Sequence, residues 1–434
     1  MKKAFAATIV LIATTVCLVD CGSGNNGSAS TQAKPSNLKF RAFVSNPLFP
    51  SGAGNVPVIN IVDALHDTLS PSTVSLLATA SQPQLMALSP DLSRTIVFSP
   101  TGNTVAVIDN SKEAIATGPS GTSAVPAITL PGLTESMFVS KNNFTAYAAI
   151  PTAQVNGQPP GAVVQFNIST GGIEATIPVP DAHYIVSSPD GNHVLVFSDN
   201  SDSITDISTI LIGSNEDPTT TVGGFHRPVG AIFNGGDTAY VFNCGPECGG
   251  SSAGVATFTI GDSGPSSTTP VSAATYGLIN GNQLYVAGTP PNHPCGAGTA
   301  ATTCGTLTIL NINSMAVTAG PFTVPDGFHD RMQMGANGQL FVGSHSCTSI
   351  NVLGGEVRGC LAIFNTSNNH VIVPPQIGDA TGIQPISGRN VVYVCEGGVF
   401  QIFDTTTDKL LVQTLMIDVV GQCYDVKQVD PPTN

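Results

Sequence analysis

Residues 85–109 read LMALSPDLSRTIVFSPTGNTVAVID and contain three short apolar segments separated by two turns. The first segment ends in Ser-Pro-Asp at 89–91, and the second and third cover 95–99 and 104–109. β-Branched and aromatic residues fill the segments, whereas Pro, Asp, Gly and Asn fill the turns. This alternation is typical of antiparallel strands joined by tight hairpins. The stretch therefore predicts three consecutive strands of one small sheet.

The same pattern recurs along the chain, with first strands starting near residues 82, 133, 181, 225, 274, 327 and 381. A repeat of roughly 40–50 residues with four strands per unit is the signature of a β-propeller. Residues 422–429 form an eighth first strand with nothing after it, and the N-terminal unit has the later strands, 40–45, 56–63 and 73–77, but no first strand. We therefore predict an all-β, eight-bladed propeller in which the C-terminal strand joins the N-terminal blade. Seven blades is the alternative, in which 199–222 is an elaborated loop.

Composition agrees with short strands and excludes one class of partner. Charged residues make up 10% of the chain, and there are 46 Gly and 32 Pro. The formal net charge of −14, with no basic cluster, disfavours contact with phosphate backbones. No nucleic-acid partner is expected.

The N-terminus has the features of an export signal. Lys2 and Lys3 precede an apolar run at 4–19 that is short for a membrane span, so residues 1–20 are predicted to be a signal peptide. The run ends in Leu-Val-Asp-Cys at 18–21, which resembles the bacterial lipobox and implies a lipid on Cys21, although Asp20 departs from the small residue usual there. Residues 21–38 would form a flexible tether and 39–430 the propeller. The expected location is the cell envelope, periplasmic or at the surface, and the alternative is a plain secreted protein.

Eight cysteines follow Cys21, and in an oxidising compartment an even number in close pairs predicts disulfides. The expected pairs are Cys244 with Cys248, Cys295 with Cys304, Cys347 with Cys360, and Cys395 with Cys423. The last pair would join neighbouring blades at the ring closure. The spacing does not match a zinc site of two Cys-x-x-Cys units.

Residues 103–109, Asn-Thr-Val-Ala-Val-Ile-Asp, and the turn 403–408, Phe-Asp-Thr-Thr-Thr-Asp, resemble the YVTN-type β-propeller repeat proteins. The resemblance extends over about residues 40–430 and implies export, a disc with a central funnel, and loops that carry any binding. Relatives include lactone-hydrolysing propellers, antibiotic-inactivating lyases and amine dehydrogenase subunits. The resemblance is therefore specific for fold and uninformative about activity.

In a propeller the innermost strand of each blade lines the channel, so polar residues at its start point toward the funnel mouth. The predicted ligand-binding residues are Glu135, His183, His226, Arg227, His329, Asp330 and Arg331. Gln84, Tyr276 and Gln384 occupy similar positions. The three histidines could hold a metal or act as acid and base. They could equally satisfy loop carbonyls and neighbouring carboxylates.

The sequence contains no nucleophile elbow, Walker loop or His-Glu-x-x-His motif. The leading hypothesis is therefore a monomeric, membrane-tethered binding module for an envelope protein, glycan or small molecule, without a cofactor. One alternative is a lactonase-like hydrolase or lyase with a divalent metal at the funnel mouth. Another is a structural surface protein.

Overall fold

The computed structural model is an eight-bladed β-propeller of four-stranded antiparallel sheets. The residues it describes are 35–51, 54–76, 82–290, 293, 295, 304–325, 327–347, 350–351, 357–411, 417 and 419–432. The predicted signal peptide, Cys21 and most of the predicted tether lie outside these residues. In the described part of the chain, no helix is long and apolar enough to span a membrane.

Blade 1 contains the N-terminal strands together with the C-terminal one, and blades 2 to 4 follow in chain order. The strands of blade 1 are β1 (Arg41–Ser51), β2 (Gly54–Asp63), β3 (Thr68–Ser75) and, innermost, β35 (Val426–Gln428). Those of blade 2 are β4 (Met86–Leu88), β5 (Arg94–Ser99), β6 (Thr104–Asp109) and β7 (Ala114–Ile115), with β8 (Ile128–Thr129) also paired to β6. Blade 3 has β9 (Ser136–Val139), β10 (Thr145–Ile150), β11 (Ala162–Asn167) and β12 (Gly172–Pro178). Blade 4 has β13 (Ala182–Ser187), β14 (His193–Ser198), β15 (Ile204–Ser208) and β16 (Thr219–Val222).

Blades 5 to 8 repeat this order from the channel outward. Blade 5 has β17 (Pro228–Phe233), β18 (Thr238–Asn243), β19 (Gly254–Thr259) and β20 (Ser267–Thr269). Blade 6 has β21 (Ala274–Asn280), β22 (Gln283–Gly288), β23 (Gly305–Asn311) and β24 (Val317–Val324). Blade 7 has β25 (Arg331–Met334), β26 (Gln339–Gly343), the small hairpin β27 (Ile350–Asn351) and β28 (Val357–Arg358), then β29 (Ala362–Asn365) and β30 (His370–Ile372). Blade 8 has β31 (Ala380–Pro385), β32 (Val391–Glu396), β33 (Val399–Asp404) and β34 (Lys409–Leu410).

The prediction of eight blades is confirmed, and residues 204–222 supply the two outer strands of blade 4 rather than an elaborated loop. The strands of blade 1 differ in their bounds from expectation, since β1 extends to Ser51 instead of ending at residue 45 and β2 begins at Gly54 instead of residue 56. The outer strand of blade 1 begins at Thr68 instead of residue 73, because the preceding turn closes at Asp67, whose φ is +53°.

Side-chain hydrogen bonds stabilise the Ser-Pro-Asp turns. Ser89 Oγ donates to Asp91 Oδ1 at 2.6 Å, and Ser188 Oγ donates to Asp190 Oδ1 at 2.5 Å in the equivalent turn of blade 4. Each carboxylate also accepts a backbone N–H two residues later, from Ser93 and from Asn192. An Asp side chain that bonds its own turn in this way fixes the hairpin locally.

The core consists of apolar layers between neighbouring blades. Strand β32 illustrates this: Val392 and Val394 pack in the layer against blade 7, whereas Tyr393 and Cys395 pack in the layer against blade 1. Successive side chains of a strand point to opposite faces of its sheet. A central strand of a blade therefore needs apolar residues at every position, which explains the unbroken apolar runs in the sequence.

The ring closes where blade 8, the C-terminal strand and blade 1 meet. Strand β35 pairs with β1 from Ala42 opposite Gln428 to Val44 opposite Val426, as predicted. The buried carboxylate of Asp425 accepts the backbone N–H of Met86 at 2.9 Å, which ties this strand to blade 2 as well. On the other side, Asp67 of blade 1 accepts Arg389 Nη2 at 2.8 Å and also accepts the Tyr393 hydroxyl.

All four predicted disulfides are present. The Cα–Cα separations are 5.6 Å for Cys244–Cys248, 4.9 Å for Cys295–Cys304, 5.7 Å for Cys347–Cys360 and 5.3 Å for Cys395–Cys423. The last bond connects β32 of blade 8 to the segment that leads into β35. It thus adds a covalent link to the non-covalent ring closure.

We expect the substitution Asp67→Asn to lower the free energy of unfolding by about 1.5–3 kcal/mol, because it removes the buried anion that pairs with the partly buried Arg389 guanidinium. Asn tolerates the left-handed backbone of this position, so the measured loss of stability reflects the removed charge and not a change in backbone strain. Urea denaturation followed by circular dichroism measures the effect. The exposed turn substitution Asp237→Asn is the control, and equal midpoints for the two variants would contradict the prediction.

Candidate functional site

One mouth of the central channel opens into a cavity of about 450 Å³. In an antiparallel blade the first strand begins, and the second strand ends, at the same edge of the sheet. Residues at the starts of β9, β13, β17 and β25 therefore meet residues just after β14 and β26 at this mouth. The cavity wall combines charged side chains with aromatic ones.

Glu135 lies at the centre of the charged groups. Its Oε2 atom is 3.2 Å from His183 Nε2 and 3.3 Å from His345 Nε2. Glu135 belongs to blade 3 and His183 to the neighbouring blade 4, whereas His345 follows β26 of blade 7. Blades 3 and 7 are four positions apart in a ring of eight, so the contact between Glu135 and His345 crosses the mouth.

Each imidazole contacts a second carboxylate through its other nitrogen. His183 Nδ1 lies 2.9 Å from Asp199 Oδ1, and His345 Nδ1 contacts Asp330 Oδ2. Asp330 also accepts Arg331 Nη1 at 2.9 Å. The result is a continuous network of alternating charge that we call the mouth network: Asp199, His183, Glu135, His345, Asp330 and Arg331.

The network keeps both imidazoles protonated at neutral pH. Hydrogen bonds to Asp199 and then Glu135 raise the pKa of His183 to about 10, and those to Asp330 and then Glu135 raise the pKa of His345 to about 9. The hydrogen bond from His183, followed by that from His345, lowers the pKa of Glu135. All members of this central part of the network are therefore charged together.

The apolar part of the cavity wall includes Tyr184, Phe197, Val229, Tyr276 and Phe328. Burial raises the pKa of the Tyr184 and Tyr276 hydroxyls, so both phenols are neutral. Arg331 is anchored beside them, since its Nε atom donates to the Thr381 carbonyl at 3.1 Å. The cavity thus offers neutral aromatic surface next to fixed charges.

The structure brings five of the predicted site residues to this cavity and leaves two outside it. Those that line it are Glu135, His183, Arg227, Asp330 and Arg331. His226 instead contacts Ser251 Oγ through Nδ1 at 2.9 Å. His329 is 0% exposed and packs beside Gly305, and burial lowers its pKa to about 4 despite the nearby carbonyls of Pro325 and Gly343.

His183, His226 and His329 consequently do not surround a common point. Among the described residues, the only group of three potential metal ligands close enough to share an ion is Cys347, Cys360 and Asp379. Those two cysteines are bonded to each other, so their sulfurs are not thiolate ligands. These three histidines are too dispersed to bind one metal ion together. A metal at the funnel mouth is still a prediction, but this set of ligands does not support it.

Sequence reasoning missed His345 and Asp199. Both follow the second strand of a blade, whereas the predicted site residues are at the starts of first strands. The signal was available, because polar residues directly after a predicted second strand must lie at the same edge of the blade as the start of the first.

The fold and its mouth define the class of protein, an eight-bladed β-propeller with a polar cavity on the channel axis. Comparison with solved structures supports this class. The chain is similar to the dihydro-haem d1 dehydrogenase NirN, with TM-score 0.61 and 10% identity over 91% of this chain and 76% of that one. It is also similar to hydrazine synthase of Kuenenia stuttgartiensis, with TM-score 0.52 and 14% identity over 77% and 96% of the two chains.

A protein of unknown function from Desulfotomaculum acetoxidans is similar with TM-score 0.51 and 14% identity, over 91% of this chain and all of that one. At these identities the likeness shows the fold alone. No family model matches the sequence, and no curated protein does either. The resemblance to YVTN repeats is therefore still a prediction.

We expect Glu135→Gln to lower the pKa of both His183 and His345, because each imidazole loses one of its two carboxylate partners. Both folded-state pKa values lie above the ordinary value of 6.5, so the network stabilises the fold fully below that pH. That stabilisation is lost as pH rises through about 9 and then about 10. Long-range ¹H–¹⁵N NMR from below pH 6.5 to above about pH 10 measures the two titrations. A wild-type titration of either residue near 6.5 would contradict the network.

Proposed function

We propose that this protein is an exported β-propeller, tethered to a bacterial membrane by a lipid on Cys21, that binds a small ligand in the mouth cavity. The observation that carries the binding role is the cavity itself. Its volume of about 450 Å³ falls within the range of roughly 300–1,000 Å³ usual for small-molecule sites. Most of the surface exposed inside it is apolar, with charged groups fixed among the aromatic rings, and small-molecule sites usually combine apolar surface with fixed polar groups.

The mouth network supports binding because it is ordered before any ligand arrives. Five of its contacts join oppositely charged groups, and they connect blade 3 with blades 4 and 7. A ligand that enters does not need to organise these side chains, so less conformational entropy is lost on binding. A preorganised wall is also selective, because a ligand must fit the existing charges.

The export and the tether rest on the sequence. The basic start, the apolar run at 4–19 and Cys21 support processing by the lipoprotein route, and the four disulfides agree with an oxidising compartment. A monomer held at the membrane, with its mouth available to envelope ligands, is the arrangement we propose.

A second candidate is acid–base catalysis in the same cavity, by a hydrolase or lyase. The observation in its favour is that His183 and His345 are each oriented by a carboxylate and each protonated, as general acids are. Conversion of a compound in the cavity, rather than its reversible binding, would favour this candidate. A purely structural surface protein would neither convert nor bind a compound in the cavity.

We expect Ser346→Trp to abolish ligand binding, because the exposed Ser346 lines the cavity and an indole there would fill it. Saturation-transfer NMR with 4-phenylbutan-1-ol, 4-phenylbutyrate, 4-phenylbutylamine and maltose at millimolar concentration measures binding. The control is Ser263→Trp, which places the same side chain at an exposed position in the turn between β19 and β20. Binding that persists in Ser346→Trp, or the absence of binding by every probe to the wild type, would contradict the proposal.

We expect Cys21→Ser to prevent lipidation and move the protein from the membrane to the soluble fraction of a bacterial host. Metabolic labelling with an alkyne analogue of palmitate, followed by fractionation, measures both effects. Cys17→Ser is the matched control, since it removes a thiol from the same apolar run. Equal labelling of the two variants would show that Cys21 carries no lipid.

A further inference from the structure

Arg227 differs from the other cations of the cavity in how its backbone is held. Its φ is +55°, which is unusual for a residue with a side chain. Its backbone N–H donates to Asp202 Oδ1 at 3.0 Å, and the register of β17 against β18 shifts between Pro228 and Gly230. Non-glycine residues held in this conformation are concentrated at functional sites. The backbone conformation therefore marks Arg227 as a candidate functional residue.

The loop that continues from the Cys244–Cys248 disulfide to Gly250 supports the aliphatic part of Arg227. Gly250 lies so close that a Cβ there would be 2.7 Å from Arg227 Cγ, and Arg227 Nη2 donates to the Gly249 carbonyl at 3.4 Å. Cys248 itself lines the cavity beside Arg227. The loop therefore fixes the guanidinium at the cavity wall.

Most donors of this guanidinium are not used within the described residues. A guanidinium has five N–H donors. For Arg227 the contact to Gly249 is long, Nε has no hydrogen-bond partner, and the nearest carboxylate oxygen, of Asp202, is 3.7 Å from Nε. By contrast, His183, His345 and Arg331 each contact a carboxylate of the mouth network. Because Nε is buried, the terminal Nη1 and Nη2 groups of Arg227 are the donors with capacity for a ligand in the cavity.

The charges on the cavity wall favour a singly charged anion. Three carboxylates line it, from Glu135, Asp199 and Asp330, against four cations, from His183, His345, Arg227 and Arg331. The wall itself therefore has one more cation than carboxylate, and Asp202, which lies outside the lining 3.7 Å from Arg227 Nε, offsets part of that excess. A doubly charged group such as a phosphate monoester would meet the three carboxylates with more charge than the excess can balance.

The remainder of the wall favours an apolar body on the same ligand. Phe328 is 39% exposed although it is a large apolar side chain, and it lines the cavity with Tyr184 and Tyr276. An aromatic or aliphatic group placed against these rings would remove their apolar surface from water.

We propose that the ligand of the mouth cavity is an amphiphilic monocarboxylate, whose carboxylate is bound by the Arg227 guanidinium and whose apolar body packs on Phe328, Tyr184 and Tyr276. This inference rests on the proposed binding function of the cavity and specifies its ligand class. A carboxylate matches the planar fork of a guanidinium and accepts two parallel hydrogen bonds from it.

The test uses three probes with one apolar body and different head groups: 4-phenylbutyrate, 4-phenylbutan-1-ol and 4-phenylbutylamine. Isothermal titration calorimetry on the mature protein gives their dissociation constants. We expect the wild type to bind the carboxylate at least about tenfold more tightly than the alcohol, as a charge-assisted pair provides. In Arg227→Gln the preference should fall to within about twofold while the affinity for the alcohol stays unchanged, and Arg227→Lys should be intermediate.

The matched control is Arg94→Gln, which removes the same charge at the start of a second strand and hence at the other edge of a blade. It should leave all three affinities unchanged, and circular dichroism establishes that each variant is folded. If the alcohol binds but the wild type has no carboxylate preference, or the preference persists in Arg227→Gln, the ligand class is wrong and the binding function stands. If no probe binds the wild type, or Ser346→Trp leaves binding intact, the binding function itself fails and the ligand class with it.

Discussion

The structure depends on one constraint: the central strands of every blade are apolar on both faces, so no blade can be stable alone. In β32, alternate residues serve the layers toward blade 7 and toward blade 1. Each blade thus needs a neighbour on both sides, and a linear array would always leave two apolar faces in water. Closing the array into a ring buries these two apolar faces against each other. The long apolar runs, the repeat and the closure by β35 follow from this requirement.

Ring closure also creates the candidate site. The mouth network joins blades 3, 4 and 7, and the contact between Glu135 and His345 crosses the channel. Those two residues are 210 positions apart in the chain, and only a closed ring brings them together. The ion pairs between Asp67 and Arg389, and the bond between Cys395 and Cys423, therefore support the site at a distance, because they hold the ring shut.

The sequence predicted the fold more completely than the site, and the reason is physical. A strand's apolar pattern and its turn residues are local, so eight units and the displaced C-terminal strand could be read from them. The disulfides followed from pairs of cysteines close in sequence. Which side chains face the channel depends instead on alternation within a few residues and on contacts between distant blades. Asp199 and His345 were missed because their significance lies in partners on other elements.

The sequence Gly-Phe-His occurs twice, at 224–226 and 327–329, and its two copies show which residues of the repeat can act in the cavity. In blade 5 the segment is followed by Arg227, and in blade 7 by Asp330. In both cases the residue after the histidine lines the cavity, whereas His226 and His329 do not. His226 instead contacts Ser251 Oγ, and His329 is fully buried beside Gly305. In each copy the imidazole thus lies outside the cavity lining and the next residue is part of it, a guanidinium in blade 5 and a carboxylate in blade 7. Since Asp330 is already engaged by His345 and Arg331, the two copies are not equivalent, and Arg227 is the one that retains donors for a ligand.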